Sequence, residues 1–187
     1  AFAHGRRFLE NKQYSTWRKE TRMAKKVALL MGSKNDFPKL KPAVDTLKQF
    51  GVEVEIRVIS AHRAPKVLES FASSLVANGF GCVIAGAGMA AHLPGVTAAF
   101  TPLPVIGSPV SGGGLNGTDA LYAIVQMPKG VPVATVAIDG AANAALLAVQ
   151  ILAGADSALF DQFVAYKAGL VDECVAMDDA LRAERKE

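Results

Sequence analysis

Charge is missing from a long stretch of this chain, and cysteine is scarce throughout. From Ser70 to Thr118 there is no Asp, Glu, Lys or Arg over 49 residues. Gly, Pro, Asn and Ser interrupt that stretch too often for a membrane span, which needs roughly 20 mostly apolar residues in a row. An uncharged segment of this length in a 187-residue chain points instead to burial on more than one side, and gives a first hint of subunit contacts. The two cysteines, Cys82 in an apolar run and Cys174 in a late helical stretch, have no paired spacing. That argues against a disulfide framework or a zinc site and fits a reducing compartment. The first residues contain no apolar core of the kind a secretory signal carries.

The formal charge of +3 is unevenly spread. Residues 1 to 26 hold eight Lys or Arg against two Glu, which leaves 12 basic against 15 acidic residues elsewhere, about −3. The main part of the chain therefore has no basic surplus for nucleic acid. With 51% apolar and 20% charged residues, it reads as a globular domain large enough to bury a core. Residues 1 to 22 carry aromatic and basic residues without helical spacing and read as an extension outside the domain. Met23-Ala24-Lys25-Lys26 reads as the domain's start, so residues 23–187 form a single domain with a C-terminal helical tail. An Arg-rich targeting peptide is the minority reading of the extension.

What is present is an alternation of strand and helix signals. Val27 to Met31 is a continuous apolar run ended by Gly32, the pattern of a central strand buried on both faces. A helix with Leu40, Val44 and Leu47 on one face follows, despite Pro42, and Gly51 ends it. Val52 to Ile59 alternates apolar and polar and reads as a second strand. Val67 to Ala77 reads as a helix stopped by Asn78-Gly79, and Cys82 to Ala85 as the third strand. Pro104 to Gly107 is the fourth strand, Ser111 to Gly114 a mobile loop, Asp119 to Val125 a helix and Val131 to Ile138 the fifth strand. Gly140 to Ala153 is a helix apolar nearly all round, for which a partner subunit is the expected cover. Ala158 to Arg182 forms one or two final helices. Such alternation indicates an α/β fold with a central parallel sheet between helical layers.

In such folds ligands bind beyond the carboxyl ends of the strands, so the loops there are the candidates. Ser60-Ala61-His62-Arg63 lies between the second strand and Pro65, a residue suited to a helix's first turn. A histidine there can move a proton near neutral pH, and an arginine beside a helix N-terminus can hold an anion such as phosphate. Gly86-Ala87-Gly88-Met89-Ala90-Ala91 fits a glycine-rich dinucleotide pattern, but no acidic residue stands between Glu69 and Asp119 to hold a ribose. The small residues there suit close approach of a ligand or of a helix to the backbone.

Taken together, Gly32-Ser33-Lys34-Asn35-Asp36, Ser60 to Arg63, Ala85 to Gly95, Gln126 to Val133 and Asn143 to Ala148 resemble class I N5-carboxyaminoimidazole ribonucleotide mutase of bacterial purine synthesis. The motifs run in order from about Val27 to about Ala153. The resemblance implies a flavodoxin-like three-layer sandwich, assembled as a homo-octamer in the cytoplasm, with no metal and no organic cofactor. It implies movement of a carboxylate from the substrate's exocyclic nitrogen to the adjacent ring carbon, through carbon dioxide held in a closed site. It implies His62 as the acid/base, Ser33, Ser60 and Arg63 on the phosphate with Ala61 beside them, and Asp36 on the ribose. Ala87 and Gly88, with His92 and Leu93, then bound the carboxylate pocket, and the Gln126 to Gly130 turn completes a neighbour's site.

Bland alternatives stand beside these roles. Ser33 and Asp36 are also natural helix caps, and His92 is also readable as a packed, hydrogen-bonded histidine. Departures from the family's usual pattern are Asn35, Met89, the glycine run after Ser111, and a loop at Asp139 about two residues short. The rival functions are a class II carboxylase that uses carbon dioxide directly, a flavin-binding carrier of similar fold, and a subunit kept for assembly alone.

Overall fold

The computed structural model describes residues 26–185; the basic extension and the expected start at Met23 lie outside them. Five strands form one parallel sheet in the order β2-β1-β3-β4-β5: β1 Lys26–Met31, β2 Glu53–Val58, β3 Cys82–Gly88, β4 Val105–Val110 and β5 Ala134–Thr135. The helices are α1 Phe37–Gln49, α2 Pro65–Ser74, α3 Leu93–Phe100, α4 Thr118–Val125, α5 Ala141–Ala153 and α6 Ser157–Glu184. This is the flavodoxin-like order, whose topological switch point lies between β1 and β3.

The pleat of β1 sorts its side chains between two cores. Val27, Leu29 and Met31 join Leu40, Val44 and Leu47 of α1 and the buried face of α5, while Ala28 and Leu30 join Leu68 of α2, Leu93 of α3 and Ile124 of α4. Alternate residues of a strand point to opposite faces, so a continuous apolar run is what a strand between two helical layers requires. Pro42 is accommodated inside α1. It stands in the second turn, where little of the helix's hydrogen-bond ladder precedes it, and the buried face with Leu40 and Val44 anchors the turn around it.

Two expectations about glycine receive a structural answer. β3 runs on through Gly86 to Gly88 rather than ending at Ala85, and Gly86 pairs with Ser108 of β4. A Cβ on Gly86 would stand 2.5 Å from the δ carbons of Leu40, and one on Gly88 would stand 2.9 Å from the Val110 carbonyl oxygen. These glycines bring a helix and a neighbouring strand close rather than cradle a dinucleotide.

Elsewhere the elements depart from the sequence reading. β5 shrinks to Ala134–Thr135, because Pro132 and, on its neighbour, Pro109 lack the N–H groups that would extend the ladder. Single bonds from Val136 N–H to Gly107 O (3.1 Å) and Asp139 N–H to Pro109 O (2.8 Å) still hold the segment alongside β4. β2 is an edge strand, and its alternation does not bury one face: Ile56 and Val58 are exposed. The cover of α5 comes largely from this chain itself, through α1, α6 and the sheet. α6 is one helix of 28 residues capped by Asp156, whose carboxylate accepts from Leu159 N–H at 2.9 Å. Only Leu159 and Phe163 of it are buried. Phe50 stacks near Phe163 and Tyr166, and from Val171 onward every residue described is exposed.

Candidate active site

At the switch point the loop after β1 passes to the α1 layer and the loop after β3 to the α3 layer, which opens a cleft of about 380 Å³ between them. All ten residues singled out from the sequence line it. Ser33 and Asp36 come from the β1 loop, Ser60 to Arg63 from the β2 loop, and Ala87, Gly88, His92 and Leu93 from the end of β3 and the start of α3.

The β2 loop is folded by its own backbone. Ala64 N–H donates to Ser60 O at 2.9 Å, and Arg63 N–H donates to Ser60 Oγ at 3.3 Å. Pro65 opens α2 at a position where its missing N–H costs nothing. The Arg63 guanidinium donates through Nη2 to Gly32 O at 2.9 Å, which ties the second loop to the first and leaves other donors of its fork available to an anion.

The β1 loop is a reciprocal cap. Ser33 Oγ accepts from Asn35 N–H and Asp36 Oδ2 accepts from Ser33 N–H, each at 3.2 Å, around the short 3-10 turn Lys34–Asp36. The capping alternative is therefore what these two residues do in this conformation. Partial burial raises the Asp36 carboxyl above its usual range, against the Ser33 N–H and the charge of Lys39, which pull it down. A carboxyl so placed is a ready hydrogen-bond partner for hydroxyl groups.

Across the cleft, two imidazoles meet. His62 Nε2 and His92 Nδ1 stand 2.7 Å apart, with the rings nearly perpendicular at 86°. Such a bond needs one proton between the two nitrogens and leaves His62 Nδ1 and His92 Nε2 at its outer ends. His92 is thus neither buried nor a packed core residue; it is exposed in the cleft and holds His62.

Apart from Met89, the far wall was not foreseen. Val110, Ser111 and Gly112, where β4 ends, line the cleft with Met89. Asp139 accepts from Ser111 N–H at 2.9 Å and from its hydroxyl, while Lys39 Nζ donates to Ser111 O at 2.6 Å and contacts its hydroxyl. Burial tends to raise the Asp139 carboxyl, but the Ser111 bonds and the Lys39 charge prevail and hold it below the usual range. The rule that pointed to the other loops, a short polar residue just past a parallel strand, applies to Ser111 too. By contrast, the Gln126 to Gly130 turn does not line this cleft; its Met127 packs against Gly95 of α3. Among the described residues there is no cluster of His, Cys, Asp and Glu able to hold a metal. Cys82 is a buried thiol pushed up to about 12 by that burial, and Cys174 is free and exposed. No described helix is long and apolar enough to cross a membrane.

A family model described as AIR carboxylase matches residues 26–173. This chain belongs to the AIR carboxylase family. Among its relatives is the N5-carboxyaminoimidazole ribonucleotide mutase of Saccharolobus solfataricus, 58% identical over 127 residues, which are 68% of this chain and 80% of that protein. The mutase of Mycobacterium tuberculosis is 50% identical over 157 residues, 84% of this chain and 90% of that one. The phosphoribosylaminoimidazole carboxylase of Candida albicans is 48% identical over 155 residues, but these are only 27% of its length. Among solved structures, Treponema denticola PurE superposes with a TM-score of 0.76 at 29% identity, covering 83% of this chain and 98% of that one. The sheet order is shared with flavin carriers of the flavodoxin type; the match to the AIR carboxylase family sets this chain apart from them.

Proposed function

We infer that the protein is an N5-carboxyaminoimidazole ribonucleotide mutase of purine biosynthesis. It converts that substrate to 4-carboxy-5-aminoimidazole ribonucleotide. The observation that carries the reading is the cleft itself, with anion-holding donors in two loops, a histidine pair opposite, and the uncharged backbone of Ala87 and Gly88 between them. The relatives support the mutase over the carboxylase reading. The two mutases are matched over most of their length, the carboxylase over about a quarter.

In the proposed reaction Ser33, Ser60 and Arg63 hold the phosphate and Asp36 the ribose hydroxyls. The bond between the exocyclic nitrogen and its carboxylate breaks, the electron pair stays on nitrogen, and His62 supplies the proton that nitrogen takes up. Carbon dioxide remains beside Ala87, Gly88 and Leu93. The adjacent ring carbon attacks it, and His62 then takes the proton from that carbon, so the imidazole ends as it began. No electrons are gained or lost, and the reaction as written needs no metal or organic cofactor. Confinement makes recombination effectively unimolecular, and a positioned general acid/base contributes roughly 10²- to 10⁴-fold.

The proposal extends to assembly and place. Exposed apolar side chains recur along α6 (Phe160, Val164, Leu170, Val171, Val175, Met177, Leu181), with Val67, Tyr122 and Val125 on other helices, and apolar surface of this kind suits contact with another subunit. A homo-oligomer, with eight copies expected, covers it, and the two free cysteines suit the cytoplasm. The test of function is to supply N5-carboxyaminoimidazole ribonucleotide without bicarbonate, and separately aminoimidazole ribonucleotide with it. The mutase reading expects efficient turnover of the first and turnover of the second only at high bicarbonate. Turnover of the second alone identifies a carboxylase.

A further inference from the structure

Ser111 is the residue at which β4 leaves the sheet, and it is also part of the cleft wall. After it come Gly112, Gly113 and Gly114, a run with no side chain to pack and with the largest backbone freedom of any sequence. Left alone, such a segment would not keep one position. Yet each polar atom of Ser111 is engaged. Its N–H and hydroxyl bond to Asp139, and its carbonyl and hydroxyl bond to Lys39. Lys39 stands on α1, 72 positions earlier, and its Nζ is 3.8 Å from the Asp139 carboxylate.

The anchor is itself anchored. Asp139 has left-handed backbone, φ 55°, and its N–H bonds to Pro109 O at 2.8 Å. At the loop's other end Gly117, φ 92°, packs onto Ile138 and the backbone of Ser111, where a Cβ would stand 2.8 and 3.0 Å away. Both ends of the 111–117 loop therefore rest on the same point. Between them Gly113 lies against Met89, where a Cβ would stand 3.3 Å from Met89 Cγ, and Met89 lines the cleft just beyond Gly88. The chain of contacts runs from Lys39 and Asp139 through Ser111 and the glycine loop to Met89, beside the backbone assigned above to the carbon dioxide.

We propose that Lys39 and Asp139 are positioning residues: they clamp Ser111 and so hold the glycine loop and Met89 as the wall that retains carbon dioxide between its release and its recapture. Neither lines the cleft itself. The inference rests on the mutase reading, and it predicts a defect in retention rather than in substrate binding.

The test follows carbon. Unlabelled N5-carboxyaminoimidazole ribonucleotide is converted in the presence of ¹³C-bicarbonate, and both the label in the carboxylated product and the free aminoimidazole ribonucleotide are measured. Wild-type protein should give nearly unlabelled product. Lys39→Met, which keeps the stem at a half-buried helix position, should raise the free aminoimidazole ribonucleotide at least about threefold. Its kcat should fall by up to about 10²-fold, the cost of a misplacement near 1 Å, with KM for the ribonucleotide little changed. Asp139→Asn, chosen because asparagine tolerates the left-handed backbone, should leak likewise, and Lys39→Arg should restore retention. Thermal melts of each variant identify any that fail to fold, and the other variant then decides. An active wild type with variants that leak no more than it does overturns the clamp alone. A wild type that does not turn over the substrate at all overturns the mutase reading and the clamp with it.

Discussion

Replacing His62 and His92 one at a time separates a base from the residue that holds it. The two rings are joined by one hydrogen bond of 2.7 Å, and both are exposed in the cleft. If His62 carries the proton, His62→Asn removes the general acid/base and should cost roughly 10²- to 10⁴-fold in kcat. Loss of a single neutral hydrogen bond is worth about 0.5–1.5 kcal/mol, so His92→Leu should cost about 2- to 13-fold. Solvent exposure places it towards the lower figure. Steady-state conversion of N5-carboxyaminoimidazole ribonucleotide, followed as the carbon-carboxylated product across pH, gives both numbers. A His92→Leu loss as large as that of His62→Asn would refute the division of roles, and an unimpaired His62→Asn would refute the proton assignment itself.

Other consequences can be checked on stability and assembly. Gly86→Ala places a Cβ 2.5 Å from Leu40, which is fully buried, and should cost about 1–3 kcal/mol, a melting temperature lower by about 2–10 °C; adding Leu40→Ala should cost less than the two separate losses together. Burial raises the folded-state carboxyl of Asp36, so the native state binds a proton more readily than the unfolded chain, and stability falls as pH rises through the acid range above the ordinary carboxylate value. Asp36→Asn should flatten that slope in acid melts and hold or raise the melting temperature at neutral pH while weakening ribonucleotide binding; a lower melting temperature would contradict it. Ser108 Oγ is buried and, among the described residues, has no hydrogen-bond partner, so Ser108→Ala should hold or raise stability by about 1 kcal/mol. Ending the chain after Lys167 removes the exposed apolar half of α6 and should reduce the particle mass seen by light scattering.

Much of this architecture was legible because the signals were local. The apolar run at Val27 to Met31 and the alternation after Val52 marked strands, and the short polar residues past them marked Ser33, Ser60, His62 and Arg63 as cleft residues, where the sheet order places them. The misreadings have non-local causes. The length of β5 depends on which N–H groups Pro109 and Pro132 withhold from the pairing with β4. The continuation of β3 through Gly86 depends on Leu40 of a different element. The exposed face of β2 follows from its place at the sheet edge, which alternation alone does not reveal. Lys39, Ser111 and Asp139 were invisible as a group because they are scattered over the sequence and none belongs to a recognisable motif. Three separately marked oddities, Met89, the glycine run and the short loop at Asp139, turn out to be neighbours around one wall.

The residue roles in the cleft are tested most directly by a crystal structure of the His62→Asn protein with 4-carboxy-5-aminoimidazole ribonucleotide bound. The account predicts the phosphate on Ser33, Ser60 and Arg63, the ribose on Asp36, and the carboxylated ring carbon within about 3.5 Å of the side chain at position 62, the separation of reacting groups poised for attack. A nucleotide bound with its phosphate at His92 and its ring turned away from position 62 would contradict it.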